Sequence, residues 1–197
     1  MSFACCARKV LDTSLPLNRR VSALRSCVQS YHPIGFEATF SFLSSAAGSF
    51  ANDPAALPRA LELLTTSRAA WLAELRAYGV LRRRAKQLGY RVPHPSAPNP
   101  NRPSHWYGAP REAAFHAVWV WYSKGASADV DVHALAAALV HRGRFTSVQR
   151  AMFEEVRADL AARFAAVDGT RDFQTYSELR DSLYVVRQMA VVVGGNG

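Results

Sequence analysis

The sequence has few cysteines and none of the patterns that build a catalytic or cofactor site. Its three cysteines, Cys5, Cys6 and Cys27, form no Cys-x-x-Cys pair, which argues against a zinc site and a disulfide framework and favours a reducing compartment. No glycine-rich phosphate loop follows a predicted strand, and no serine lies in a nucleophile elbow. We therefore expect a protein that is not an enzyme and has no metal, no cofactor and no small-molecule substrate.

Long apolar runs are missing as well. The two longest, 117–122 and 183–193, are short or interrupted by Arg187, so we expect no membrane-spanning segment. Hydrophobic residues nevertheless make up 49% of the 197 residues. This content is too high for a chain that is mainly disordered, and the length predicts one compact domain.

Acidic residues are scarce in the first half of the chain. Residues 1–110 contain 14 Lys or Arg and five Asp or Glu, whereas residues 111–197 contain ten of each, so the net charge of +9 resides in the first part. Arginine outnumbers lysine 21 to 3, and a guanidinium group can bind phosphate through two parallel hydrogen bonds. A GC-rich coding sequence would also favour arginine. The asymmetry indicates a polyanionic partner.

The spacing of apolar residues predicts six or seven helices joined by short turns, and hence an all-α antiparallel helix bundle with an extended Pro-rich loop. The first predicted helix starts near Leu15, with Ser14 as a possible cap. Arg19, Arg20 and Arg25 would lie on its outer side.

The predicted organisation has three parts. Residues 1–36 form a basic N-terminal arm with the first helix, residues 37–193 form the helical core, and residues 194–197 form a flexible tail. A Pro-rich loop at 90–110, with six prolines, interrupts the core because neither a helix nor a central strand accepts such a run.

Two segments of the core leave alternatives open. A helix that begins at Pro58 is predicted to end before Gly79 and to resume over 80–88 as a short basic arm. The run 111–122 contains Val-Trp-Val-Trp, which would fit a strand, but its length and the proline before it favour a buried helix. Downstream, Asp129 or Asp131 is predicted to cap a helix that Gly143 ends, and Thr146 or Ser147 to begin the next.

Two groups of cations are candidate RNA-binding residues because cations bind phosphates. The first group surrounds the start of the Pro-rich loop: Arg82, Arg83, Arg84, Lys86, Arg91 and Arg102. A solvated charged arm is the alternative interpretation of this group. The second group lies near the start of the long helix predicted from residue 146: Arg142, Arg144 and Arg150.

Aromatic residues near the second half of the loop are candidates for a different role. Trp106 and Tyr107 follow the prolines, and Trp119 and Trp121 lie in the aromatic run. One neighbouring helix cannot cover the aromatic side chains spread around segment 111–122, so that segment is either the central helix or packs on another subunit. We therefore predict these four residues to form an assembly interface.

Two segments resemble coat proteins of rod-shaped plant viruses of the tobacco mosaic type. Phe-Leu-Ser-Ser-Ala at 42–46, followed by Asn-Asp-Pro at 52–54, is similar to the N-terminal segment of that family. The long helix at 146–167, Gly169 and the apolar C-terminal segment are similar to the last helix, turn and C-terminus. In that family an Arg-x-Asp-Asp-Ala signature precedes the long helix. Here it is represented only by Arg142 and Arg144, without the acids. The resemblance implies a four-helix bundle stacked helically around single-stranded RNA, with RNA near the start of the long helix.

Composition gives a second resemblance, to the Pro-, Ala- and Ser-rich proteins that coat some fungal viral RNAs, since these three residue types make up about 30% of this chain. We interpret the sequence as a viral coat protein that self-assembles, binds single-stranded RNA through arginine–phosphate contacts, and resides in the virion and the host cytoplasm. The alternative is a helical adaptor or scaffold protein whose arginines only keep it soluble.

Overall fold

A computed structural model describes residues 2–50, 53–91, 103, 105–125, 129–167, 169 and 172–194 of the chain. These residues contain eight helices and no strand. The all-α prediction is therefore confirmed, whereas the predicted count of six or seven helices is wrong. The chain divides into two compact units, Met1–Ala109 and Pro110–Gly197. The sequence instead predicted one compact domain in which residues 1–36 stand apart from a core over 37–193.

The N-terminal unit contains the first four helices. They are α1 (Phe3–Leu11), α2 (Leu17–Ser30), α3 (Phe36–Ala47) and α4 (Ala56–Gln87). Helix α4 packs against each of the other three, and α2 also packs against α1 and α3. Because α1 and α2 pack on α4, residues 1–36 belong to this unit rather than to a separate arm.

Helix α1 was not predicted, and it changes the environment of the helix that follows. The Ser2 hydroxyl caps α1 by accepting a hydrogen bond from the Cys5 backbone N–H at 3.3 Å. Arg20 is only 7% exposed, and its Nε–H donates to the Val10 carbonyl oxygen at 2.8 Å. The prediction that Arg20 lies on an outer basic surface is therefore wrong, because its guanidinium binds a carbonyl at the end of α1.

The start of α2 differs slightly from the expectation. Pro16 occupies the N-cap position, and no side chain caps the helix. The Ser14 hydroxyl donates instead to the Asp12 carboxylate at 2.6 Å, so Ser14 is not the cap. A proline lacks the backbone N–H that would remain unpaired at a helix start, which makes it compatible with this position.

Helix α4 is continuous over 32 residues, so the predicted interruption at Gly79 is wrong. At 1.5 Å per residue the helix is roughly 48 Å long. An interior glycine costs about 1 kcal/mol relative to alanine, which is less than a break in the backbone hydrogen bonds would cost. The helix ends at Gln87. Gly89 follows with a φ of 81°, and the Tyr90 N–H donates to the Ala85 carbonyl. This arrangement is a Schellman motif.

The C-terminal unit contains the other four helices. They are α5 (Pro110–Ser123), α6 (Val130–Arg142), α7 (Ser147–Ala166) and α8 (Phe173–Gly194). Helix α8 packs against α5, α6 and α7, and α6 also packs against α5 and α7. The core contains Val118, Leu139, Phe153 and Met189, each at most 1% exposed. The helix interpretation of 111–122 is confirmed and the strand alternative is wrong.

The predicted start and end of α6 and the predicted start of α7 are confirmed. Asp129 caps α6 by accepting from the Val132 N–H at 3.2 Å, and Gly143 ends that helix with a φ of 67°. Thr146 forms a capping box with Gln149 at the start of α7, where each side chain accepts from the other residue's backbone N–H.

Gly194 belongs to α8 and not to a tail, while residues 195–197 lie outside the described part of the chain. Most of the predicted Pro-rich loop, including Arg102, also lies outside it. None of the described helices is both long and apolar enough to cross a membrane.

Candidate nucleic-acid interface

The C-terminal part of α4 and the turn after it, residues 76–91, form what we call the basic arm. After Ser67, only Ala85 among the residues of α4 is buried. The first half of α4 carries the apolar residues that pack on α1, α2 and α3, and the second half carries charged residues instead. The sequence therefore makes one rigid helix whose N-terminal half is core and whose C-terminal half is accessible.

The charge of the arm has one sign. Glu74 is the last acid before Glu112, and the arm itself contains Arg76, Arg82, Arg83, Arg84, Lys86 and Arg91. All six cations are exposed, and none makes an ion pair or hydrogen bond with another side chain of the described residues. Because no acidic side chain neutralises these cations, they attract an external anion.

The geometry of the helix spreads these cations around its axis. Successive residues are about 100° apart, so the three consecutive arginines at 82–84 cover about 200°. Arg76 and Arg83 lie two turns apart on one side, and together with Gly79, Val80, Arg82 and Lys86 they line an open groove of about 700 Å³. A chain of phosphates could follow this side of the helix and contact several cations in sequence.

A simpler role accounts for part of the charge. Arg84 and Lys86 lie in the last turn of α4, where cations interact favourably with the negative end of the helix dipole. That explanation does not extend to Arg76, which lies about three turns before the end. The helix dipole therefore explains two of the six cations.

Exposed apolar and aromatic residues accompany the cations. Val80, Leu81 and Leu88 are more than half exposed, and Tyr90 is 65% exposed. Arg76, Val80 and Tyr90 are not among the site residues that the sequence predicted. The absence of acids between residues 75 and 111 could have indicated Arg76, but the exposure of Tyr90 depends on the turn at Gly89. An exposed aromatic ring next to cations can stack on an unpaired base.

The aromatic residues predicted to follow the loop have a different environment. Trp106 is 2% exposed and packs edge-to-face on Phe42, with ring centroids 4.9 Å apart. It belongs to the core of the N-terminal unit, so the prediction that it forms an assembly interface is wrong. Burial of an indole ring is favourable because the ring removes a large apolar area from water.

Tyr107 is anchored to α4 next to Trp106. Its hydroxyl donates to the Glu74 carboxylate at 2.6 Å, and its backbone N–H donates to the Ser67 hydroxyl oxygen at 3.1 Å. Burial, followed by the hydrogen bond to Glu74, raises the pKa of the Tyr107 phenol above its usual range. These two hydrogen bonds hold Tyr107 against the middle of α4, just before the basic arm begins.

The second predicted cluster is in the C-terminal unit. Arg142 ends α6, Arg144 follows Gly143, and Arg150 lies in the first turns of α7. All three are exposed, with no ion pair to another described residue. Val148, which is 76% exposed, lies between Arg144 and Arg150 in sequence. We call residues 142–150 the basic turn. It is accessible in the same way as the basic arm.

Of the two tryptophans in α5, Trp119 is 44% exposed, whereas Trp121 is half-buried against the core of the C-terminal unit. Both remain available in part for contact with another molecule, so the prediction that they form an assembly interface stays a prediction.

Comparison of the chain with protein-family models, curated proteins and solved structures gave no match.

Proposed function

We propose that this protein is a viral coat protein that binds single-stranded RNA through the basic arm and self-assembles along it. The observation that carries the proposal is the set of six exposed cations at 76–91, which have no acidic partner among the described residues. Such an arm supplies phosphate contacts without base selection, as a protein that covers a whole RNA requires. The virion and the cytoplasm of the host cell are the locations that this role implies.

The finer architecture is part of the same proposal. We take the helices of the C-terminal unit to form an antiparallel four-helix bundle, as the resemblance to rod-shaped virus coat proteins implies. In this view Trp119 and Trp121 contribute to contacts between subunits. The aromatic Tyr90 supplements the phosphate contacts of the arm by stacking on bases.

Titration of salt against a fluorescent single-stranded RNA tests the proposal. We expect the logarithm of the association constant to fall linearly with the logarithm of the salt concentration, with a slope of about −0.7 for each contacted phosphate. Oligonucleotides of equal length and different sequence should bind with nearly equal affinity, since phosphates carry no sequence information. A slope near zero would refute the proposal and favour an adaptor that binds proteins through the exposed apolar residues of the arm.

A further inference from the structure

The C-terminal unit contains an open cavity of about 710 Å³ at the start of α6, lined by Asp129, Val130, Trp121, Arg163, Glu178 and Asp181 among others. Three of these residues are acidic and one is basic. Arg163 is already engaged, since its Nη1 lies 3.6 Å from Asp129 and 3.3 Å from Asp159. Asp181 lies 3.5 Å from Arg180 in an exposed pair, and Glu178 accepts a hydrogen bond from Gln174 but makes no ion pair with a described residue. The cavity therefore has an excess of negative charge in a protein whose net charge is +9.

A second feature of the cavity points to a polar occupant. Ser182 lines it and is 92% buried, with a relative exposure of 8%, and its hydroxyl has no hydrogen-bond partner within the described residues. The Ser182 hydroxyl faces the open cavity, so a donor that enters the cavity would gain a hydrogen bond. Trp121 also lines the cavity, and an indole ring is a favourable neighbour for a guanidinium group.

The edge of the cavity also carries an exposed apolar residue. Val130 is 79% exposed and lies among the carboxylates. An apolar centre surrounded by charged groups is the usual arrangement of a protein interface. The cavity therefore fits a surface that presents an apolar residue between arginines.

The opposite end of the same two helices presents such a surface. The ion pair between Arg163 and Asp129 joins the C-terminal part of α7 to the start of α6, so the basic turn between these helices lies at their other end. Helix α6 has 13 residues, which separates the two ends by roughly 20 Å. At the basic turn, the exposed Val148 lies between arginines, matching Val130 between carboxylates.

We propose that the basic turn at 142–150 of one copy docks into the acidic cavity of a second copy, with Arg142 and Arg144 facing Glu178 and Asp181. Glu178 and Asp181 are three residues apart on α8 and about 5–6 Å from each other, which is close enough to pair with two neighbouring arginines. The contact joins different surfaces of the two copies, so it leaves a free turn and a free cavity at the ends of every chain of subunits. It rests on the self-assembly proposed above, and it assigns the basic turn to a subunit rather than to RNA.

Mixing of two neutralised variants tests this contact on the full chain without RNA. R142Q/R144Q has a defective turn and an intact cavity, whereas E178Q/D181N has the reverse. We expect each variant alone to associate roughly tenfold or more weakly than the wild type in sedimentation velocity. An equimolar mixture should form heterodimers that grow no further, because only one functional turn and one functional cavity remain. R111Q/R187Q, which removes two exposed arginines elsewhere in this unit, should assemble like the wild type.

A charge exchange provides the complementary measurement. The variant R142E/R144E/E178R/D181R reverses both surfaces, and it should recover the association of the wild type. All four positions are exposed, and circular dichroism verifies that each variant is folded. Failure of the folded exchange variant to associate would overturn the proposal, as would a mixture of the neutralised variants that grows beyond two subunits.

RNA affinity, measured on the same proteins, separates this inference from the proposed function. R142Q/R144Q should bind single-stranded RNA with an affinity close to that of the wild type, because the basic arm is intact. If it loses RNA binding while it keeps self-association, RNA and not a second copy occupies the turn, and the inference is wrong. If no variant and no wild-type protein binds RNA, the proposed function fails, while sedimentation still reports on the contact between copies.

Discussion

Replacement of all four cations at 82–86 by glutamine is expected to lower the affinity for single-stranded RNA by roughly two to three orders of magnitude at about 0.1 M salt. Each lost phosphate contact removes about 0.7 from the steepness of the salt dependence, so loss of four contacts would reduce it by about 2.8. The four side chains are exposed and make no ion pair with other described residues. The helical content should therefore stay unchanged, since exposed charges contribute little to folding.

A matched variant separates the arm from the net charge of the protein. R111Q/R157Q/R180Q/R187Q also removes four exposed arginines, but these lie in the C-terminal unit. It should retain most of the RNA affinity and most of the salt slope. Equal losses in the two variants would contradict a specific role for the arm and would attribute binding to overall charge.

Replacement of Trp106 by alanine is expected to reduce the free energy of unfolding by about 3–5 kcal/mol, as is typical when a large aromatic side chain is removed from a core. The ring is 2% exposed and packs on Phe42, so the substitution leaves a cavity that the surrounding helices cannot fill. Urea denaturation of the full chain, followed through a spectroscopic signal from the N-terminal unit, measures this free energy of unfolding.

Trp119→Ala is the control for this substitution. Trp119 is 44% exposed, and its removal should cost about 1 kcal/mol or less. It should weaken self-association instead, if α5 contacts another subunit. Equal destabilisation by the two substitutions would contradict the assignment of Trp106 to the core.

The features that sequence predicted well are local in origin. The capping box at Thr146, the aspartate cap at Asp129 and the left-handed glycine at Gly143 depend on residues within four positions of each other. The apolar spacing identified the helices around them for the same reason. Short-range rules of hydrogen bonding and periodicity are sufficient for these elements.

The features that sequence missed depend on contacts between distant residues. Arg20 is buried because the Val10 carbonyl accepts its Nε–H, and Trp106 is buried because Phe42 lies 64 positions earlier in the sequence and close in space. Neither arginine nor loop tryptophan carries a local signal of burial. The continuity of α4 through Gly79 reflects the modest cost of one glycine within a long helix.

The candidate site was predictable in its charge and not in its geometry. The run of cations at 82–91 was evident from the sequence, whereas their separation from every acid of the described residues required the structure. The acidic cavity combines residues from α5, α6, α7 and α8, and no sequence motif connects them. Surfaces assembled from several helices cannot be recognised before the packing of those helices is known.

Nuclease protection in sedimenting particles is the most direct test of the central claim that this protein coats RNA. Purified protein is mixed with a long single-stranded RNA, treated with ribonuclease and separated on a density gradient. We predict that large particles retain RNA in proportion to protein, with fragments much longer than a single subunit could cover. Complete digestion of the RNA, with the protein sedimenting as before its addition, would contradict the proposal.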